Sequence, residues 1–72
     1  MGVNEYIQIG SRIKAIRTER GLKQRQVATD LNIPYSTYSN YENNNREPSL
    51  YIITQIAKYF DVTIDELIFG RW

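Results

Sequence analysis

A chain of 72 residues with 42% hydrophobic and 24% charged side chains suits one domain and is too apolar to be disordered. It has no cysteine and no histidine, which excludes disulfides, zinc sites built on those ligands, and serine or cysteine hydrolase triads. The formal charge is only +1, but six basic and two acidic side chains give residues 1–26 a net +4, whereas residues 27–46 carry −1 and residues 47–72 carry −2.

Two amphipathic segments open the chain. Isoleucines spaced four and three residues apart predict a first helix over about 7–20, and Gly21 can end it in a left-handed conformation. These isoleucines are Ile9, Ile13 and Ile16. A second apolar face predicts a helix that begins near Lys23–Gln24 and ends at Leu31–Asn32. Asn32 tolerates the positive φ that a tight turn often needs.

A turn and a short polar helix come next. Pro34 pushes Ile33 into an extended conformation, so the chain turns before a third helix over about 35–42. Tyr38 and Tyr41 give this helix an apolar side at helical spacing. Its other side is rich in hydroxyl and amide groups. The ENNNREP segment that follows is typical of a loop, since clustered asparagines before proline favour turns.

Two further helices complete the predicted architecture. Ser49 can cap a fourth helix over about 50–59, and Thr63 can cap a fifth over 64–69, which Gly70 ends. The fourth helix is expected to turn an apolar side inward, made of Leu50, Ile53, Ala57 and Phe60. No strand pattern or internal repeat is visible. We therefore predict a single all-α domain over residues 1–72, with an ordered core of about 7–69.

Several spaced motifs of this chain resemble one known family. They are Leu22-x-Gln24-x-x-Val27-Ala28, then Ser36-Thr37-x-Ser39-x-Tyr41-Glu42-Asn43, then Arg46-x-Pro48-Ser49. With IAKYFDVTIDEL at 56–67 they resemble the phage-repressor-like (Cro/cI, or Xre) helix-turn-helix proteins over roughly residues 9–69. The resemblance implies a compact five-helix lambda-repressor-like DNA-binding domain. Its helix-turn-helix would be helices 2 and 3, with helix 3 in the major groove of double-stranded DNA.

The outward side of the third helix carries the candidate base contacts. They are Tyr35, Ser36, Thr37, Ser39 and Asn40. Asn40 is the first choice for specificity, because a carboxamide can bond N6 and N7 of adenine together. The alternative is that surface serines and asparagines are simply solvated. The resemblance favours DNA contact for Asn40 and Ser36.

Candidate phosphate contacts lie at both ends of the third helix. The resemblance implies that Gln24 contacts the DNA backbone and braces helix 3, and the dipole of helix 2 also attracts a phosphate there. Lys23 stands where the family usually has a hydroxyl residue and adds a cation, and Arg25 is a plausible third contact. A second phosphate clamp is expected from the loop after helix 3, from Asn43, Asn45 and Arg46. The alternative for the asparagines is a plain linker.

The resemblance also implies an ion pair between Arg17, late in helix 1, and Glu42, at the end of helix 3. A guanidinium-carboxylate fork would orient the recognition helix, whereas the alternative is two separately solvated charges. Two departures from the family pattern look structural. Pro34 replaces the usual serine or threonine cap but pre-sets φ for a first helical turn, and Asn32 stands where glycine is usual.

These expectations lead to a sequence-specific DNA-binding regulator of bacterial or phage origin, most often a repressor that occupies an operator. No enzymatic activity, cofactor, metal or small-molecule substrate is expected. The segment MGVNEYIQI lacks the blocks of a signal peptide and no apolar run is long enough to span a membrane, so we expect a cytoplasmic protein. A protein-interaction module of the same fold, such as an antitoxin or anti-regulator, is the second hypothesis, against which the basic first half argues.

Specific affinity generally comes from two modules on two half-sites, so a homodimer is one expectation. Its candidate interface is the apolar C-terminal surface, made of Tyr59, Ile68, Phe69 and Trp72. The alternative is that Phe69 and Trp72 fold back onto their own domain. The architecture also allows a further domain after Gly70.

Overall fold

Five helices make up the computed structural model, which describes residues 8–72. They are α1 (Ile9–Glu19), α2 (Gln24–Leu31), α3 (Tyr35–Glu42), α4 (Leu50–Phe60) and α5 (Ile64–Phe69). The described residues contain no strand, and the predicted all-α class with its helix order is confirmed. The predicted start of the first helix, at residue 7, lies outside the described residues. None of the five helices is long and apolar enough to cross a membrane.

The helix ends follow local sequence chemistry. The Ser49 hydroxyl accepts a hydrogen bond from the Ile52 N–H at 3.2 Å and so caps α4. Thr63 and Glu66 form a capping box at the start of α5, with reciprocal bonds of 3.0 and 2.8 Å. Asn32 ends α2 in the left-handed region at φ 60°, which turns the chain toward α3.

One core lies between the helices, and both predicted tyrosines of α3 belong to it. Tyr38 is fully buried and Tyr41 is 7% exposed. They pack with apolar residues of all the other helices, namely Ile9, Ile13, Ile16, Val27, Ala28, Ile56, Ala57, Phe60 and Leu67. α3 packs against α1 and α2, whereas α5 packs against α1 and α4. The recognition helix of the prediction is therefore supported from two sides.

The prediction that Leu50 faces the core is wrong. Leu50 is 71% exposed and its neighbour Tyr51 is 69% exposed, whereas Ala57 and Phe60 are buried and Ile53 is half-buried. Leu50 has the helical register of Ala57 and Phe60, but it is the first residue of α4 and does not pack against the core, whereas Ile53 in the same turn does. Periodicity identifies the inward side of a helix and says nothing about how far along its length the core extends.

Candidate nucleic-acid interface

The exposed side of α3 carries the predicted base contacts at different depths. Ser36 is exposed and Tyr35 is 41% exposed, whereas Thr37, Ser39 and Asn40 are half-buried. Ser36 and Asn40 are four residues apart and so lie on the same side of the helix. None of the five side chains is buried in the core, and the helix presents a hydroxyl and amide surface to solvent.

A buried ion pair holds α3 against α1. Arg17 Nε lies 2.6 Å from Glu42 Oε2, and Arg17 Nη2 lies 3.0 Å from Glu42 Oε1, so the guanidinium and carboxylate meet as a two-bonded fork. Arg17 also donates from Nη1 to the Leu22 carbonyl at 2.7 Å. One side chain of α1 thus fixes the end of α3 and the segment that leads into α2.

Glu42 accepts hydrogen bonds from three side chains. Besides the Arg17 fork, Oε1 accepts from Gln24 Nε2 at 2.8 Å and Oε2 accepts from Tyr38 Oη at 2.6 Å. Burial raises the pKa of the Glu42 carboxyl, but the bonds from Arg17, Gln24 and Tyr38 outweigh it, so that the pKa lies below its usual value. Glu42 in turn raises the pKa of Arg17, mainly by accepting its hydrogen bonds. Both groups are therefore charged at neutral pH.

Gln24 links this buried network to the surface of α3. Its Oε1 accepts a hydrogen bond from Tyr35 Oη at 3.2 Å, while its Nε2 donates to Glu42. The guanidinium carbon of Arg25 lies over the Tyr35 ring, 4.3 Å from its centroid. Sequence analysis missed both contacts of Tyr35. An aromatic residue directly after the turn, opposite a Gln-Arg pair, was the signal that could have found them.

An open depression of about 390 Å³ lies at the start of α2, beside the first residue of α3. Its lining joins three predicted phosphate contacts with one predicted base contact and the buried arginine: Lys23, Gln24, Arg25, Tyr35 and Arg17. None of the acidic side chains among residues 8–72 lines it. Together with the N-terminal end of the α2 dipole, this basic lining suits an anion.

The loop after α3 returns to the helix that precedes it. The N–H groups of Asn45 and Arg46 donate to the Asn40 carbonyl at 2.9 and 3.2 Å. Asn43, Asn45 and Arg46, the predicted second clamp, all have exposed side chains at this end of α3. Of the other predicted phosphate cluster, Lys23 and Arg25 lie beside Tyr35 at the start of α3, whereas Gln24 bonds both Tyr35 and Glu42.

Asn44 has a structural role that was not predicted from the sequence. Its Oδ1 accepts from the Gly10 N–H at 3.1 Å, and its Nδ2 donates to Ser11 Oγ at 3.2 Å. Gln8, which precedes α1, makes no side-chain cap. The available signal was this missing cap, because the first N–H groups of a helix need partners from elsewhere.

The predicted dimer residues differ in how much they remain open. Tyr59 Oη donates to Asp30 Oδ2 at 2.6 Å, and burial together with that bond raises the pKa of Tyr59 to about 12. The indole N–H of Trp72 donates to Glu19, and the ring is half-buried against the core. Trp72 thus folds back onto its own domain, the alternative named for it above. Ile68 is half-buried, and Phe69 stays open at 50% exposure.

Comparison with known proteins identifies the architecture. A helix-turn-helix family model matches residues 13–67. The cryptic phage CTXphi transcriptional repressor RstR of Vibrio cholerae is 36% identical over 58 residues, which are 81% of this chain and 52% of that protein. The HTH-type transcriptional activator BcrR of Enterococcus faecalis is 31% identical over 65 residues, 90% of this chain and 32% of that protein. The chain therefore spans about half, or less, of the length of these relatives.

A solved structure gives the same result for the fold. The restriction-modification controller protein C.AhdI from Aeromonas hydrophila superposes with a TM-score of 0.78 at 30% identity, covering 85% of this chain and 92% of that one. The predicted resemblance and the five-helix fold are confirmed. The relatives are regulators of transcription, and the prediction of a non-enzymatic domain is confirmed at this level.

Proposed function

Since this chain belongs to the helix-turn-helix family, we propose that it binds double-stranded DNA in a sequence-specific way and regulates transcription. The observation that carries the proposal is the mounting of α3. The buried Arg17–Glu42 fork and Gln24 fix this helix from below, while Ser36 and Tyr35 stay open to solvent. A short, rigidly held helix with a polar outer surface is what insertion into the major groove requires.

The proposed base contacts are the outward side chains of α3. Asn40 and Ser36 are the leading pair because they share one side of the helix, with Asn40 bonding an adenine through its carboxamide. Ser39, Thr37 and Tyr35 flank that pair and have weaker or apolar chemistry to offer. Half-burial of Asn40 limits its rotamers, which favours one bonding geometry over several.

The proposed phosphate contacts fit the length of the recognition helix. The eight residues of α3 rise about 12 Å along the helix axis, close to the width of the major groove. Lys23 and Arg25 lie beside Tyr35 at the start of α3, and Asn43, Asn45 and Arg46 follow its end. Gln24 lies between, since it bonds both Tyr35 and Glu42. Gln24 gives one N–H to Glu42, and its second N–H is the proposed phosphate donor.

The finer regulatory assignment is repression by occupying an operator in the cytoplasm, with two copies on two half-sites. Steric occupation needs only DNA binding, for which the described surfaces suffice. The names of the relatives include both a repressor and an activator, so membership of the family is compatible with repression or with activation. In the proposed homodimer Phe69 is the central apolar contact, because Tyr59 and Trp72 already bond within the domain.

A salt series on duplex DNA tests this function. Duplexes are first selected from a random pool, and binding is then measured at several salt concentrations. Two phosphate-bound cations per copy, Lys23 and Arg46, predict a slope of log K against log salt of roughly −2 for each bound copy, and about twice that when two copies bind together. The matched variants Lys23→Ala and Arg46→Ala should each make the slope shallower by about 1. A flat response in the unmodified protein would contradict DNA as the ligand and favour a protein partner.

A further inference from the structure

We propose that Arg25, held over the ring of Tyr35, is a specificity-determining residue that bonds O6 and N7 of a guanine in the major groove. This inference rests on the proposed DNA-binding function and deepens it. Arg25 belongs to α2, and its place in the sequence predicted a phosphate contact. Its position in the structure favours the base instead.

The guanidinium of Arg25 is held without using its hydrogen-bond donors. Its carbon lies 4.3 Å from the Tyr35 ring centroid, within the range of a cation–π contact, while the side chain remains exposed. Among residues 8–72 the only ion pair joins Arg17 to Glu42, so no described carboxylate competes for Arg25. A guanidinium held through its face keeps its in-plane N–H groups for another molecule.

The ring beneath Arg25 is itself held in place. Tyr35 Oη donates to Gln24 Oε1 at 3.2 Å, and Gln24 Nε2 donates to Glu42. Glu42 is only 2% exposed and is paired with Arg17. A continuous set of hydrogen bonds thus connects the buried ion pair to the surface ring. A guanidinium resting on this support loses little conformational freedom when it binds, which favours a contact with strict geometry.

Position distinguishes a base from a phosphate as the partner of Arg25. Tyr35 is the first residue of α3, and the N-terminal residues of a recognition helix are those that contact base edges. A guanidinium drawn over this residue is turned toward the helix that enters the groove. Guanine presents two adjacent acceptors there, O6 and N7, which match the arginine fork, and no other base offers that pair.

Selection from a random duplex pool tests the assignment, using the full chain and its Arg25→Ala variant. Alanine removes the guanidinium, so the variant should lose its preference for one guanine by roughly 5-fold to 100-fold while its other base preferences stay unchanged. Its salt slope should also stay unchanged, because a base contact neutralises no phosphate. The control is Lys23→Ala, which should weaken binding to all sequences about equally. Thermal unfolding of each variant checks that the fold is intact.

Two further comparisons test the Tyr35 ring and the guanine N7 atom separately from general effects on DNA affinity. Tyr35→Phe keeps the ring but loses its bond to Gln24, so it should keep part of the guanine preference, whereas Tyr35→Leu should lose it. Replacing the selected guanine by 7-deazaguanine removes the N7 acceptor, so it should weaken binding by the unmodified protein and leave binding by Arg25→Ala unaffected. Such an interaction between a protein variant and a single DNA atom is not expected of a residue that only supports the fold.

The outcomes distinguish failure of this inference from failure of the proposed function. If the unmodified protein enriches no sequence and shows a flat salt response, both fall together. If it enriches a site in which every guanine survives selection with Arg25→Ala, DNA binding stands and the guanine contact is refuted. Uniform weakening by Arg25→Ala, with a slope shallower by about 1, would then assign Arg25 to a phosphate.

Discussion

Asn44 caps α1 from the far side of the fold: its Oδ1 accepts a hydrogen bond from the Gly10 N–H at 3.1 Å, across 34 residues of sequence. The contact needs the start of α1 to lie against the end of α3. A Cβ built on Gly10 would fall 2.0 Å from the Tyr41 carbonyl oxygen. Gly10 is therefore the residue that lets α1 approach the recognition helix and hold the loop that follows it.

Gly10→Ala is expected to destabilise the protein by about 2 kcal/mol or more, because the added methyl group meets backbone atoms that cannot move aside cheaply. This change is opposite in direction to the one expected in an ordinary helix interior, where alanine is more favourable than glycine by about 1 kcal/mol. Urea unfolding followed by circular dichroism measures the change.

Gly21→Ala is the matched control for that substitution. Gly21 has φ +71°, but a Cβ there would meet no atom within 4 Å, so only the left-handed backbone is penalised, by about 1–2 kcal/mol.

Gly10→Ala should also lower the affinity for DNA, since the loop carrying Asn45 and Arg46 shifts with it. A neutral or stabilising Gly10→Ala would refute the close approach of α1 and α3.

Glu42→Gln should cost about 3–5 kcal/mol of unfolding free energy, because it leaves the Arg17 guanidinium buried without its counter-charge. Asp30→Asn is the comparison: Asp30 also accepts a hydrogen bond from a tyrosine, but its carboxylate is exposed, and about 1 kcal/mol is expected. Combining Arg17→Met with Glu42→Gln should cost less than the sum of the two single changes. Additive losses would mean that the fork contributes no coupling.

Acid should weaken the fold partly through Glu42. Because its pKa in the folded protein is below the usual 4.5, the unfolded chain takes up this proton first as the pH falls. The stabilisation is complete above the unfolded pKa and is lost as the pH drops through the folded pKa. The difference in unfolding free energy between the unmodified protein and Glu42→Gln should thus shrink below about pH 4.5 in urea titrations. A difference independent of pH would contradict the depressed pKa.

Local chemistry explains why the helices could be predicted from the sequence. Ser49 and Thr63 each accept a hydrogen bond from the N–H three residues later, and Asn32 adopts a left-handed conformation itself, so these effects depend on neighbouring positions in the sequence. The family resemblance supplied Arg17 with Glu42, a pair that spacing alone would not join. The helix ends and this ion pair could therefore be predicted, the first from neighbouring residues and the second from the resemblance.

Features that depend on the relative placement of helices could not be predicted in the same way. The Asn44–Gly10 contact and the Arg25–Tyr35 contact each join residues whose proximity only the assembled fold determines. Leu50 fails for a related reason, since its exposure depends on how far the core extends along α4. For Trp72 the sequence allows either a partner contact or a return to its own domain, and its bond to Glu19 forms only once α1 is in place.

Phe69→Asp should weaken self-association if the open surface of α5 is the dimer contact. Phe69 is 50% exposed, and a carboxylate at the centre of an apolar contact would have to be desolvated. Leu50→Asp is a matched control, because Leu50 is also an open apolar residue, at 71% exposure, but lies on α4. Sedimentation velocity over a range of concentrations should show loss of dimer for Phe69→Asp only. Equal effects of the two variants would exclude a specific contact at Phe69.

Asn40→Ala and Gln24→Ala should change DNA binding in different ways. Asn40→Ala removes a proposed adenine contact, so preference should relax at one base position, by about 1–3 kcal/mol, with little change in non-specific binding. Gln24→Ala should weaken all sequences about equally and should also lower the melting temperature, because its amide donates to Glu42 as well. Selection profiles measured well below both melting temperatures separate affinity from stability. Identical profiles for the two variants would show that their proposed base and phosphate roles are wrong.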